Sequence, residues 1–200
     1  MTEFVSPHGS AGYTLLPLKP AEIAEARRLC DDCVGKNLYG DEEIARAISA
    51  PDHFFFLLKD AGGEAVGYLY WYLTAPEAVA ADVKLDIGQI RSVLPTSCSR
   101  VGKLQAVGLR ADHRGRGLAA QMIRFALRRM AECGVHTVFI VCWKPGGIVP
   151  LGKALAECRF RELAQSRLVW FDKVGLVCPY CGGRCRCDAE VYYKTLGEDT

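Results

Sequence analysis

The segment Val107-Gly-Leu-Arg-Ala-Asp-His-Arg-Gly-Arg-Gly-Leu-Ala119 constrains this chain most, because it predicts a strand that turns directly into a helix. After the turn, Leu118, Met122, Ile123, Ala126, Leu127 and Met130 fall on one stripe, with Gln121, Arg124, Arg128 and Glu132 opposite. Gly134 stands just past the predicted helix Gly117–Cys133, where a glycine closes a helix. The first amides of a helix have no internal partner, and the summed peptide dipoles make that end positive. Gly115 and Gly117 let a ligand approach without a Cβ in the way. Strand, glycine turn and helix together form a cradle for a phosphate or pyrophosphate.

The remaining elements alternate. Strands are predicted at Tyr13–Leu18, His53–Leu58, Ala65–Leu73, Lys103–Leu109, His136–Trp143, Arg167–Phe171 and Ala189–Lys194. A Pro20-led helix ends at Gly35, a second runs from near Asp41 to Pro51, and a short one spans Val149–Cys158. The stretch 74–100, with Pro76, Gly88 and Pro95, is expected to be an irregular connection with strand-like pieces around Val83–Ile87. The pattern implies an α/β (α+β) fold, with strands in the middle and helices on both faces. A length of 200 residues fits a single domain, 1–200.

Charge and hydropathy exclude several classes. A net charge of +2 argues against a nucleic-acid binder, a zinc-ribbon type included. No apolar run approaches the roughly 20 residues of a membrane span. The start lacks the basic and apolar regions of a signal peptide, so a cytoplasmic location is expected. In that setting the 10 cysteines are not expected to form disulfides. Cys178-x-x-Cys181 and Cys185-x-Cys187 form a dense cluster with Gly182-Gly183 between the halves. Four thiolates satisfy tetrahedral zinc, which is the expectation here. An iron–sulfur cluster and a redox dithiol remain open. Cys30 and Cys33 read as an ordinary helical pair, and Cys142 as a buried small hydrophobe.

Arg114-Gly-Arg-Gly-Leu-Ala119 resembles the Arg/Gln-x-x-Gly-x-Gly/Ala signature of the GCN5-related N-acetyltransferases, and the order of elements over about residues 12–196 is similar to that family's. The resemblance implies a mixed, mostly antiparallel central sheet and an acyl-coenzyme A site. Arg114, Gly115, Arg116, Gly117, Leu118 and Ala119 would hold the pyrophosphate of acetyl-CoA through their amides. The strand edge from Val107 to Leu109 would pair with the pantetheine arm. A backbone N–H near Val107 would polarise the thioester carbonyl, which makes Val107 the expected oxyanion donor.

The resemblance also marks departures. Leu155, in Leu155-Ala-Glu-Cys-Arg-Phe160, stands where many members carry a proton-donating Tyr, and Gln105 is the offering where many carry a basic Glu. Tyr70, Tyr72, His53, Asp82 and Asp86 are polar groups near the acceptor side, each read first as core aromatic or surface carboxylate. The cluster 178–187 would be an elaborated loop between the last two strands, bordering the acceptor pocket, with Tyr180 as substrate contact or proton donor. The implied activity is acyl transfer, with acetyl-CoA, to a primary amine of a small molecule or peptide. A non-catalytic acyl-CoA sensor that docks a partner through the zinc loop is the alternative, and a homodimer is left open.

Overall fold

The computed structural model describes residues 2–5 and 12–197. The strands are β1 (Thr2–Val5), β2 (Gly12–Pro17), β3 (His53–Lys59), β4 (Ala65–Thr74), β5 (Val101–Leu109), β6 (Thr137–Lys144), β7 (Arg161–Arg167) and β8 (Asp188–Thr195). The helices are α1 (Ile23–Cys33), α2 (Asp41–Ser49), α3 (Pro76–Val83), α4 (Ile87–Arg91), α5 (Leu118–Glu132) and α6 (Gly152–Glu157). All strands join one sheet in the order β1-β2-β3-β4-β5-β6-β8-β7. Among the described residues β5–β6 is the parallel pair and the others are antiparallel, so the sheet is mixed and mostly antiparallel, as expected.

Helices cover both faces. The α5 stripe Leu118, Met122, Ile123, Ala126, Leu127 and Met130 packs with Leu69, Trp71, Leu104 and Ile140. Opposite, Ala26, Leu29 and Cys30 of α1 and Ile44 and Ala47 of α2 pack with Phe55, Tyr68 and Tyr70. With both faces covered, β4 is buried almost throughout, which explains its run of apolar and aromatic residues.

The feature that positions the site is the parting of β5 from β6. Their pairing is confined to Gly102↔Val138 and Lys103↔Phe139. Against β4, the β5 register shifts by one residue, with Trp71 opposite Leu104 and Tyr70 opposite Ala106. Gln105 is therefore the extra residue of a β-bulge, which bends and twists its strand. Beyond Lys103 the β6-facing edge of β5 lies along a gap.

Three expectations are corrected. Residues 74–100 are helical in part: Pro76 opens α3 at its first turn, and Asp86 caps α4, its Oδ1 accepting from Gly88 N at 2.7 Å. The strand expected at 167–171 lies instead at Arg161–Arg167, and Leu168, at φ +54°, turns the chain out of the sheet. Polar β7 is an edge strand paired to β8 alone, so it lacks the apolar run of a buried strand. A further strand, Thr2–Val5, precedes the one expected first.

Candidate active site

The turn after β5 is braced by its own arginines. Arg114 Nε donates to the carbonyl of Leu109 at 2.9 Å. The Arg116 guanidinium donates to Tyr13 Oη at 2.8 Å and to the carbonyl of Asp112 at 3.0 Å. Gly115 (φ +75°) and Gly117 (φ +74°) adopt the left-handed conformation that a side chain disfavours. The first intrahelical bond of α5 runs from Gln121 N to Gly117 O, which leaves the preceding amides without helical acceptors. Both arginines thus brace the loop, and the cradle itself is backbone.

A cavity of about 430 Å³ opens from this turn. Arg114, Gly115, Gly117, Leu118, Ala119 and Ala120 line one end, with Pro150, Leu151, Lys153, Ala154 and Glu157 around α6. Leu109, Val107, Ala106 and Gln105 follow along β5, facing Ile140, Val141, Cys142 and Trp143 on β6. At the other end stand Cys33, Val34, Leu38, Tyr39, Trp170, Leu176, Cys178, Pro179 and Cys185. The cavity therefore passes between the parted strands, from the α5 face of the sheet to the α1 face.

A polar chain closes behind the narrow part. Lys103 is fully buried, and its Nζ donates to Asp82 Oδ2 and to Gln105 Oε1, each at 2.9 Å. With its oxygen occupied, the Gln105 amide nitrogen donates to Tyr39 Oη at 3.4 Å. Because Tyr39 Oη accepts this bond, its own proton is left for another acceptor. Burial holds the Tyr39 hydroxyl well above its ordinary pKa, so it stays protonated. Burial likewise pushes Cys33 to about 11 and Cys142 to about 12, so neither is a ready thiolate.

The Cys178, Cys181 and Cys187 sulfurs lie within 4.8 Å of one another. Cys181 Sγ is 3.5 Å and Cys178 Sγ 3.9 Å from Cys187 Sγ. A tetrahedron of thiolates about 2.3 Å from zinc has edges of about 3.8 Å, so the trio has the right spacing. Cys185, the fourth cysteine expected to bind the metal, lies outside this trio; it is buried, and that burial is the main cause of its raised pKa. The amide of Arg186 donates to Cys181 Sγ at 3.4 Å and is the main cause of that thiol's lowered pKa. Burial drives the Cys187 thiol up to about 12, opposed by the neighbouring Trp143 indole. That indole N–H is buried without an ordinary acceptor, and a metal-bound thiolate would supply one.

Other residues singled out from sequence take different places. Tyr180 is 62% exposed beside Gly146, off the cavity wall. Leu155 is buried in the core, while Leu151 and Ala154 present α6 to the cavity. His53 Nδ1 lies 2.7 Å from Tyr70 Oη and its ring stacks on Tyr72 at 4.8 Å, a cluster that does not line the cavity. Asp86 is a helix cap, and Asp82 is the partner of Lys103. Cys30 is a core residue, whereas half-buried Cys33 lines the cavity. Tyr39, Lys103 and Trp170 were not anticipated. Lys103, a charge inside an otherwise apolar strand, was the available signal for one of them.

Residues 21–146, more than half of the chain, match the sequence profile of the Acetyltransferase (GNAT) family. No curated protein sequence matches the chain. Its structure is similar to that of the ribosomal-protein-S18-alanine N-acetyltransferase from Escherichia coli, with TM-score 0.61 and 12% identity over 94% of this chain and 98% of that one. It is similar to the polyamine N-acetyltransferase of Drosophila melanogaster, with TM-score 0.61 and 13% identity over 92% and 100%. It is also similar to Arabidopsis thaliana NAA60, solved in complex with acetyl-CoA, with TM-score 0.63 and 12% identity over 92% and 99%. These likenesses establish the fold, and the profile match spans the strand–turn–helix on which the cavity opens. The chain belongs to the acetyltransferase (GNAT) family.

Proposed function

We propose that this protein transfers the acetyl group of acetyl-CoA directly to a primary amine of a small molecule or peptide. The observation that carries this reading is the backbone cradle at Gly115–Ala119 opening into a cavity that crosses the sheet beside the unpaired edge of β5. The cradle amides bind the pyrophosphate. The β5 edge from Leu109 to Val107 takes the pantetheine arm in the manner of an added strand. A backbone N–H near Val107 faces the thioester oxygen, and such a fixed donor lowers the barrier by about 3 kcal/mol. The amine nitrogen bonds to the carbonyl carbon, the carbon–sulfur bond breaks, the sulfur leaves with a proton, and the proton shed by the nitrogen replaces the one that its donor gave. Gln105 is no base and Leu155 no acid. Among the described residues on the cavity wall Tyr39 alone carries a hydroxyl, and its protonated state and free O–H suit it to supply that proton.

Cys178, Cys181 and Cys187 are assigned to one structural zinc ion on the strength of their thiol spacing, with Cys185, the remaining cysteine of the cluster, as the fourth ligand. Zinc there would fix the 168–187 connection that walls the far end of the cavity. A cytoplasmic setting is proposed with it, since a reducing compartment keeps cysteines as the thiols that metal binding needs. The test is release of coenzyme A thiol from acetyl-CoA across a panel of primary amines, with calorimetric binding of coenzyme A alongside. Amine-dependent release is expected. Binding without release for any amine would overturn the transferase reading.

A further inference from the structure

Resting on that reading, we infer that the acceptor amine is carried by an aromatic or branched apolar group, either as a free small molecule or as the first residue of a peptide. The far end of the cavity is walled by Val34, Leu38, Tyr39, Trp143, Trp170 and Leu176. Among the described residues no carboxylate lines this end. Glu157, the carboxylate on the wall, belongs to α6, where it lies 3.8 Å from Arg124 of α5. Of the carboxylates nearby, Glu43 holds Lys173 through both oxygens, at 2.8 and 2.9 Å, Asp82 holds Lys103, Glu190 lies 3.1 Å from Lys144, and Asp32, next to Cys33, is exposed on α1.

A diamine or polyamine seated here would set its second ammonium against Val34, Leu38, Trp170 and Leu176, which offer no counter-charge, and the negative charge of the proposed zinc–thiolate centre would lie at the edge of that wall, at Cys178 and Cys185. An aromatic or branched group meets the opposite balance. Removing its apolar surface from water favours binding by about tenfold or more over a bare ethyl group.

The pocket is also preformed. The loop after α1 is clamped to the 168–187 connection by the Lys36–Val177 bridge and by Asn37 Nδ2 donating to the carbonyl of Gly175 at 3.1 Å. A Cβ at Gly35 would lie 3.1 Å from Pro179, which shows how closely these loops meet. A wall assembled before binding costs less ordering when the acceptor enters.

The test compares kcat/KM with saturating acetyl-CoA for 2-phenylethylamine, isoamylamine, ethylamine, spermidine, agmatine and a Phe-initiated pentapeptide. An apolar acceptor is expected to exceed ethylamine and both cations about tenfold or more, and the better of phenylethylamine and the peptide identifies the source. Trp170→Ala should raise the KM of the preferred apolar amine about tenfold and leave the KM of acetyl-CoA unchanged. Val34→Glu should shift preference toward agmatine. Spermidine or agmatine used best, or ethylamine used as well as phenylethylamine, would overturn the acceptor class and leave the transferase reading intact. Absence of release with every amine would overturn both.

Discussion

Replacing Gly115 by Ala separates the two things that a glycine provides in the turn. Its φ is +75°, and a Cβ there would meet no protein atom within 4 Å. The cost to the free protein is therefore conformational, about 1–2 kcal/mol for an L-residue held left-handed. For a chain of this size that lowers Tm by roughly 2–8 °C. The cost to the cofactor is separate, because in the proposed cradle the new methyl would stand where the pyrophosphate approaches the amides. Losing one charge-assisted hydrogen bond is worth about 1.5–3 kcal/mol, or roughly 10- to 150-fold in affinity. Calorimetric Kd for coenzyme A and KM for acetyl-CoA should both rise by that factor, with the acceptor KM little changed. Gly115→Asn tolerates the left-handed conformation and should recover part of the Tm while keeping the weak binding. An alanine variant that loses Tm yet binds coenzyme A within twofold of wild type would refute the cradle.

Native mass spectrometry should find one zinc-mass ion per chain; Cys187→Ser should lose it and lower Tm, and a metal-free native protein would remove the zinc assignment. Asp82→Ala leaves the buried Lys103 ammonium with Gln105 as its remaining partner in the chain described above. Breaking a fully buried pair costs about 3–5 kcal/mol. Asp82 is 41% exposed, so about 1–3 kcal/mol is expected on denaturation. Lys103→Met should be better tolerated, and the reverse order would refute this account. His53 has its pKa lowered from 6.5, chiefly by burial and against the pull of Asp52. The unfolded state therefore binds more protons between the lowered folded pKa and about 6.5. Stability from this group is complete above that window and is lost as pH falls through it. His53→Gln should remove that part of the pH dependence, measured by denaturation midpoints between pH 5 and 7.5.

What was legible in the sequence was local. The turn at Gly115 and Gly117, the α5 stripe and the stop at Gly134 each follow from a few neighbouring residues. Helices α3 and α4 were legible in principle, through Pro76 at a first turn and the Asp86/Gln89 capping box. They were obscured by Gly88 and Pro95. The stretch 167–171 has strand-like residues, yet Trp170 went to the cavity wall and polar Arg161–Arg167 took the sheet edge. Local preference lost there to long-range packing.

By itself the sequence determined the strand, glycine turn and helix, since helix geometry and glycine dihedrals are properties of a dozen consecutive residues. It also determined the family, through the signature and the order of elements. Only the tertiary structure decided what the cradle opens onto. The bulge at Gln105 and the parting of β5 from β6 are set by register between strands, and so is the meeting of residues 33–39 with residues 170–185. No local pattern encodes those distances. They arise when the sheet closes and the two loops pack against each other, and that packing brings Val34, Leu38, Trp170 and Leu176 together at the far end of the cavity.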